Sequence, residues 1–169
     1  MKVLLVLRHA KASQDSPSGL DFDRPLKPRG QRQAVALGRM MRERKLAADL
    51  ILASPAARVV ETVSGLMEGT GERIEPVFDR RLYNASPETL LEVIHGVDDN
   101  VERLLVVGHN PGLQYLVLQL AENDSDGLRG EVAAGFPTAM LAEVTLAVER
   151  WQDVARDSGR IASLIRPDD

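Results

Sequence analysis

The sequence predicts an α/β fold: a three-layer sandwich around a mostly parallel central sheet. Three observations predict it. Short apolar runs of strand length alternate with longer stretches of helical periodicity. The runs Val3–Leu7 and Leu104–Gly108 are almost wholly apolar, as in parallel strands covered on both faces. Proline-containing helix starts, Ser54-Pro55, Ser86-Pro87 and Asn110-Pro111, punctuate the chain between them.

Taken in order, Val3–Leu7 reads as a buried central strand. Asp15–Gly30 holds three prolines and two glycines and reads mainly as loop. From Gln31 to Lys45 the apolar positions Ala34, Leu37 and Met41 recur at helical spacing, which predicts an amphipathic helix. Leu50–Ser54 is a second strand. Ser54-Pro55 is then expected to cap a helix that continues through Ala57, Val60, Ser64 and Met67 on one face. Ile74–Phe78 is a third strand. Ser86-Pro87-Glu88 starts a helix that runs to about His95, with its acid near the positive end of the dipole. Leu104–Gly108 is a fourth strand, and Asn110-Pro111 caps a helix carrying Leu113, Leu116, Val117 and Leu120. Glu122–Gly130 is expected to be a polar loop, Ala139–Val148 an edge strand or hairpin, and Ile161–Ile165 a last short apolar run. No repeat or linker interrupts the 169 residues, so one domain over 1–169 is expected.

Composition bounds the chemistry. Apolar residues make up 44% and charged residues 27%, which suits a water-soluble globular chain. The net charge of −4, from 21 basic and 25 acidic side chains, argues against non-specific nucleic-acid binding, which needs a dense basic surface. There is no cysteine, which excludes disulfides, thiolate metal sites and thiol catalysis. The first apolar run ends at Arg8 after five residues, too short for a secretory signal. No stretch reaches the roughly 20 apolar residues of a membrane helix. The expected location is the cytoplasm, with no membrane partner.

Three features share one kind of position, the junction where a strand gives way to a helix. They are Arg8-His9, Ser54-Pro55 with Arg58, and His109-Asn110-Pro111. In open α/β sheets, ligands bind at the carboxyl ends of the strands. Helix N-termini at that rim offer free N–H groups to anions. Arginine adds bidentate, permanently charged contacts to phosphate oxygens, and neutral histidine can attack phosphorus. Taken singly, each residue also has a structural reading: a hydrogen-bonded histidine, a surface ion pair, a helix cap. Together they make a candidate phosphate site. His95, late in a helix, is given no role. Metal binding through His9 and His109 lacks a matching carboxylate or thiol pattern.

The string Leu7-Arg8-His9-Ala10-Lys11-Ala12 resembles the signature of the histidine phosphatase (phosphoglycerate mutase-like) superfamily. Five further segments resemble its SixA branch, the phosphohistidine phosphatases. These are Asp21-Phe22-Asp23-Arg24-Pro25-Leu26, Ser54-Pro55-Ala56-Ala57-Arg58 with Thr62, Arg81-Leu82-Tyr83-Asn84-Ala85-Ser86, Val107-Gly108-His109-Asn110-Pro111-Gly112 and Phe136-Pro137-Thr138. The resemblance spans Lys2 to about Trp151 and implies a phosphoglycerate mutase-like sandwich. It implies that His9 is a nucleophile that becomes transiently phosphorylated. Arg8, Arg58 and His109 would bind the transferring phosphoryl group, and Arg24 and Asn110 would lend further support around it. No cofactor is implied.

Many superfamily members carry an acid that protonates the leaving oxygen. Here Asp21, Asp23, Asp79 and Glu88 are all available, and no motif singles one out. The SixA branch also lacks an obvious donor, which fits a labile phosphoramidate substrate. The expected function is therefore metal-independent hydrolysis of phosphohistidine on a partner protein, for example a phosphotransfer domain. The alternatives are a phosphatase of small phosphate esters and a non-catalytic phosphate-binding module.

Overall fold

A computed structural model describes residues 1–124 and 127–168. Six strands form one sheet in the order β3-β2-β4-β1-β5-β6. The central strand β1 (Lys2–Arg8) runs parallel to β4 (Arg103–Gly108), which runs parallel to β2 (Leu50–Ala53). On the other side β1 pairs antiparallel with β5 (Leu141–Leu146), and β5 pairs antiparallel with the edge strand β6 (Gly159–Ile165). This is the mostly parallel α/β sandwich that the sequence predicts.

The alternation of side chains along β1 divides the core into two. Leu4 and Val6 join Leu104 and Val106 beneath α3 (Pro87–His95) and α4 (Gly112–Leu120). Leu5 and Leu7 join Leu105 and Val107 beneath α1 (Pro28–Glu43) and α2 (Ala57–Thr70). All four β1 side chains are fully buried. Each such burial contributes roughly 1.5–3 kcal/mol, so β1 anchors both layers.

Several expectations change. Helix α1 begins at Pro28, inside the expected loop, because proline suits the first helical position. Helix α2 begins at Ala57, and Ser54 does not cap it. Its buried face is Arg58, Val59, Thr62, Val63, Leu66 and Gly69, whereas Val60 is exposed. Val59, Val63 and Leu66 make an apolar stripe at helical spacing, and that stripe packs on α1. A Cβ on Gly69 would lie 2.1 Å from the Val35 carbonyl, and one on Gly38 would lie 2.4 Å from the Leu66 carbonyl. The glycines let the two backbones touch, and this contact turns Arg58 and Thr62 inward.

Strand β3 is only Val77–Phe78 and is exposed, shorter than the expected Ile74–Phe78. Pro76 has no N–H to give a ladder, so pairing starts after it. Strand β5 lies inside the sheet, with β6 as the edge. The expected Glu122–Gly130 loop includes residues 125–126, which lie outside the described residues, and a helix α5 (Leu128–Ala134) begins within it. Ser86 caps α3 as expected, accepting from the Thr89 N–H. Among the described residues no helix is long and apolar enough to cross a membrane.

The strand order locates the site. From β1 the chain crosses over β4 to reach β2, carried by α1 on one face. From β4 it crosses over β1 to reach β5, carried by α4 on the other face. The carboxyl ends of β1 and β4 are therefore a topological switch point, where open α/β sheets leave a crevice. Arg8 pairs with Gly108 at that edge, and the His9 N–H donates to the Gly108 carbonyl.

Candidate active site

His9 and His109 are the residues that follow β1 and β4. Their ring centroids lie 5.5 Å apart, and both side chains are buried. His9 Nδ1 lies 2.8 Å from the Ala10 carbonyl oxygen. A carbonyl only accepts, so Nδ1 carries the hydrogen and Nε2 keeps the lone pair. Burial lowers the His9 pKa to about 4, against the opposing bond to Ala10, and the charges of Arg58, Arg8 and Arg24 push the same way as burial. The ring is therefore a neutral imidazole at pH 7.

His109 takes the opposite tautomer. Arg58 Nη2 donates to His109 Nδ1 at 3.2 Å, so His109 Nε2 holds the hydrogen and donates to Ser54 Oγ at 2.8 Å. Burial first, then Arg58, lower the His109 pKa to about 3. The sequence expectation that Ser54 caps α2 is thus replaced by a link from Ser54 to the rim histidine.

Arg58 enters from the first turn of α2 and is 4% exposed. Thr62, one turn later, donates to the Arg58 carbonyl and accepts from the Ala10 N–H, so it joins α2 to the segment after His9. Arg8 donates through Nη1 to the Phe136 carbonyl at 3.1 Å. Burial, Arg58 and Arg166 lower the Arg8 pKa, the mark of crowded cations. The Nε atoms of Arg8 and Arg58 are both buried without a hydrogen-bond partner. Unmatched buried donors of charged groups are costly, so each marks a place where a hydrogen-bond acceptor would be favoured.

The two remaining sequence candidates are engaged by protein groups. Arg24 donates through Nε to the Ser13 carbonyl and through Nη1 to Asp21. Asn110 donates through Nδ2 to the same Phe136 carbonyl that Arg8 uses, and its Oδ1 accepts from the Gln114 N–H at the start of α4. His95 lies apart, with Nε2 against the Val154 carbonyl.

Among the acid candidates only Asp21 reaches this cluster. Hydrogen bonds from Tyr83, then Arg24 and Arg58, hold its carboxyl well below the usual range, so it is a carboxylate at neutral pH. Asp79 is held low by Arg81. Asp23 accepts from Ser18, and Glu88 is exposed on the first turn of α3. Among the described residues no group of three or more His, Asp or Glu side chains is arranged to hold a metal ion.

Tyr83 lies in one of the segments that carry the resemblance but is given no role there. Its hydroxyl donates to Asp21 Oδ2, and its ring meets His109 edge to face at 5.3 Å. Aromatic residues are only 4% of the chain, so a tyrosine inside that segment was the available signal.

The profile of the histidine phosphatase superfamily (branch 1) matches residues 4–90, just over half of the chain. The chain belongs to the histidine phosphatase superfamily. The matched span holds Arg8, His9, Arg24 and Arg58. An uncharacterised protein of Mycobacterium tuberculosis strain H37Rv is 39% identical over 151 residues, covering 88% of this chain and 91% of the relative. A provisionally assigned phosphohistidine phosphatase SixA from Agrobacterium tumefaciens is 30% identical, with a TM-score of 0.82 and 98% of each chain covered. A similarly assigned protein from Nakamurella multipartitia is 26% identical, with a TM-score of 0.85 over 98% of this chain and 96% of the other. The fold is the phosphoglycerate mutase-like fold of the SixA structures, and membership of this histidine phosphatase family supports phosphatase activity.

Proposed function

We propose that the protein hydrolyses phosphohistidine on a partner protein through a phosphorylated His9. The observation that carries the mechanism is the His9 tautomer: Nδ1–H is spent on the Ala10 carbonyl, so Nε2 is a neutral nucleophile beside two arginines with unmatched Nε–H groups. In the first step Nε2 attacks phosphorus and the P–N bond of the substrate breaks. A substrate ring protonated on its other nitrogen departs as neutral imidazole. In the second step water attacks the phosphoryl group on His9, gives up a proton to solvent, and releases inorganic phosphate with the His9 lone pair restored.

Arg8, Arg58 and His109 bind the equatorial oxygens. Phosphoryl transfer is chiefly positioning and charge stabilisation, and removing a single such donor typically costs about a hundredfold or more in kcat. Two guanidinium groups supply the positive charge that a divalent metal provides in other phosphatases, so the reaction is proposed to be metal-independent. His109 donates to the phosphoryl group by turning its Nε2–H from Ser54.

The substrate class rests on the leaving group. An alkoxide leaves poorly without a proton donor. Asp21, the acid that reaches the cluster, is held as a carboxylate by three donors, which makes it a poor proton donor. Protonated phosphohistidine needs no such donor. The carrier protein is expected to present its phosphorylated side chain at the carboxyl ends of β1 and β4, where His9 and His109 stand.

The test is to mix ³²P-phosphohistidine carrier domain with wild type and with His9→Gln and to quench in alkali. Label should appear on the wild type and be absent from His9→Gln. Label on His9→Gln would overturn the nucleophile. Comparison of kcat/KM with a phosphoserine peptide and sugar phosphates decides the substrate, and an ester that matches the carrier domain would overturn the protein-substrate reading. Exhaustive EDTA treatment should leave the rate unchanged. Loss restored by Mg²⁺ would overturn metal independence.

A further inference from the structure

Asp21 has a place in the site that its chemistry as an acid does not explain. Its carboxylate has three donors: Oδ1 accepts from Arg24 at 2.8 Å, and Oδ2 accepts from both Arg58 Nη2, at 3.1 Å, and the Tyr83 hydroxyl. The Asp21 main-chain carbonyl accepts from Arg58 Nη1 at 2.9 Å. One residue therefore takes both terminal nitrogens of Arg58. A guanidinium is a planar fork with two usable edges. The outer edge, Nη1 with Nη2, is spent on Asp21. The inner edge, Nε with Nη2, keeps the buried unmatched Nε–H and the bond to His109.

The Asp21 segment is itself fixed. Leu26 is buried, Ala12 bridges to Leu26, and the Ser13 N–H donates to the Pro25 carbonyl. Arg24 Nε adds a bond of 2.6 Å to the Ser13 carbonyl. Tyr83 also lies beside Arg58, with the guanidinium 6.0 Å from its ring centre. Asp21 is 45% exposed at its side chain, so water could compete for it if these partners were absent.

We infer that Asp21, seated by Tyr83 and Arg24, is a positioning residue that holds the outer edge of the Arg58 fork and so keeps Nη2 on His109 and the Nε–H turned to the phosphoryl group. This rests on the proposed role of Arg58. It contrasts with a second way to use the same contacts, in which Asp21 mimics a bound phosphate and must be displaced by substrate. The two have opposite signs. A positioning residue improves the binding of a phosphate analogue, whereas a competitor weakens it.

The experiment is a double-mutant cycle of Asp21→Ala with Arg58→Ala, read by kcat, by KM and by the inhibition constant of orthovanadate, with circular dichroism as the fold control. Asp21→Ala should lower kcat by about ten- to a hundredfold, as displaced catalytic groups do, with a smaller change in KM and weaker vanadate inhibition. In the Arg58→Ala background it should cost almost nothing more. Asp21→Asn, which keeps an accepting oxygen, should recover part of the loss. Tyr83→Phe leaves the carboxylate in place and should lose only a few-fold. Tighter vanadate inhibition in Asp21→Ala would assign Asp21 as a competitor and overturn the inference. Full additivity, or an unchanged kcat in both Asp21→Ala and Tyr83→Phe, would also overturn it. An Arg58→Ala enzyme with wild-type kcat would instead remove the role of Arg58, a separate failure.

Discussion

At the scale of single residues, the site depends on hydrogen bonds that set which nitrogen of each histidine carries a proton. All three histidines are constrained differently: His9 by a carbonyl at Nδ1, His109 by a guanidinium at Nδ1, and His95 by a carbonyl at Nε2. Only His9 is thereby left with a lone pair at Nε2. ¹⁵N NMR of histidine-labelled protein should show His9 as the Nδ1–H tautomer, and His109 and neutral His95 as Nε2–H. The His9 signal should titrate near pH 4, because burial and three nearby arginines oppose its protonation. A midpoint near 6.5, the value of a free histidine, would contradict the environment described.

At the scale of elements, the crossing of α1 and α2 places Arg58. Gly69 sits where a Cβ would meet the Val35 carbonyl at 2.1 Å, whereas Gly130 in α5 has nothing within 4 Å of that position. Alanine has the better helix propensity at both, by about 1 kcal/mol. At Gly130 that term acts alone, so Gly130→Ala should stabilise the protein by a few tenths to about 1 kcal/mol. At Gly69 the clash with backbone outweighs it, and Gly69→Ala should destabilise by about 1–3 kcal/mol as the helices are forced apart. Urea unfolding of the pair checks the sign at each site. Equal effects would mean that the crossing yields easily. Gly112 is a similar contact on the other layer, where a Cβ would fall 2.0 Å from the Ala85 carbonyl.

For the whole molecule, the buried pair His9 and His109 ties stability to pH. Their folded pKa values, about 4 and about 3, lie below the unfolded value of about 6.5. Between those limits the unfolded chain binds more protons, so stability rises with pH. The contribution is complete above about pH 6.5 and is lost as pH falls through the folded values. From pH 7 to pH 5, where carboxylates stay largely ionised, the Tm of the wild type should fall more than that of His9→Asn/His109→Asn. Calorimetry across that window tests the sign, and parallel curves would contradict it. Asp21 and Asp79 add a second loss in acid, below the usual carboxylate range.

What the sequence by itself determined follows from local signals with few alternatives. Val3–Leu7 is apolar at every position, so it had to be buried on both faces, and it is the central strand. Ser86-Pro87 had to start a helix, because its cap and first-turn chemistry are contained in neighbouring residues. Arg8, His9 and His109 could be assigned to a common rim, since they stand at the carboxyl ends of two unmistakable strands. The tertiary structure decided what depends on partners distant in the chain. It chose between two faces of α2: Val59, Val63 and Leu66 form an apolar stripe, and the close backbone approach at Gly38 and Gly69 sets that face on α1. It made Ser54 a partner of His109, 55 residues away, where the local pattern indicated a helix cap. It separated Asp21 from Asp23, Asp79 and Glu88 by bringing Arg58 and Tyr83 to one carboxylate. A charge close to others along the chain has no determined role until the fold supplies its donors. That is why the acid that reaches this site was legible only in three dimensions.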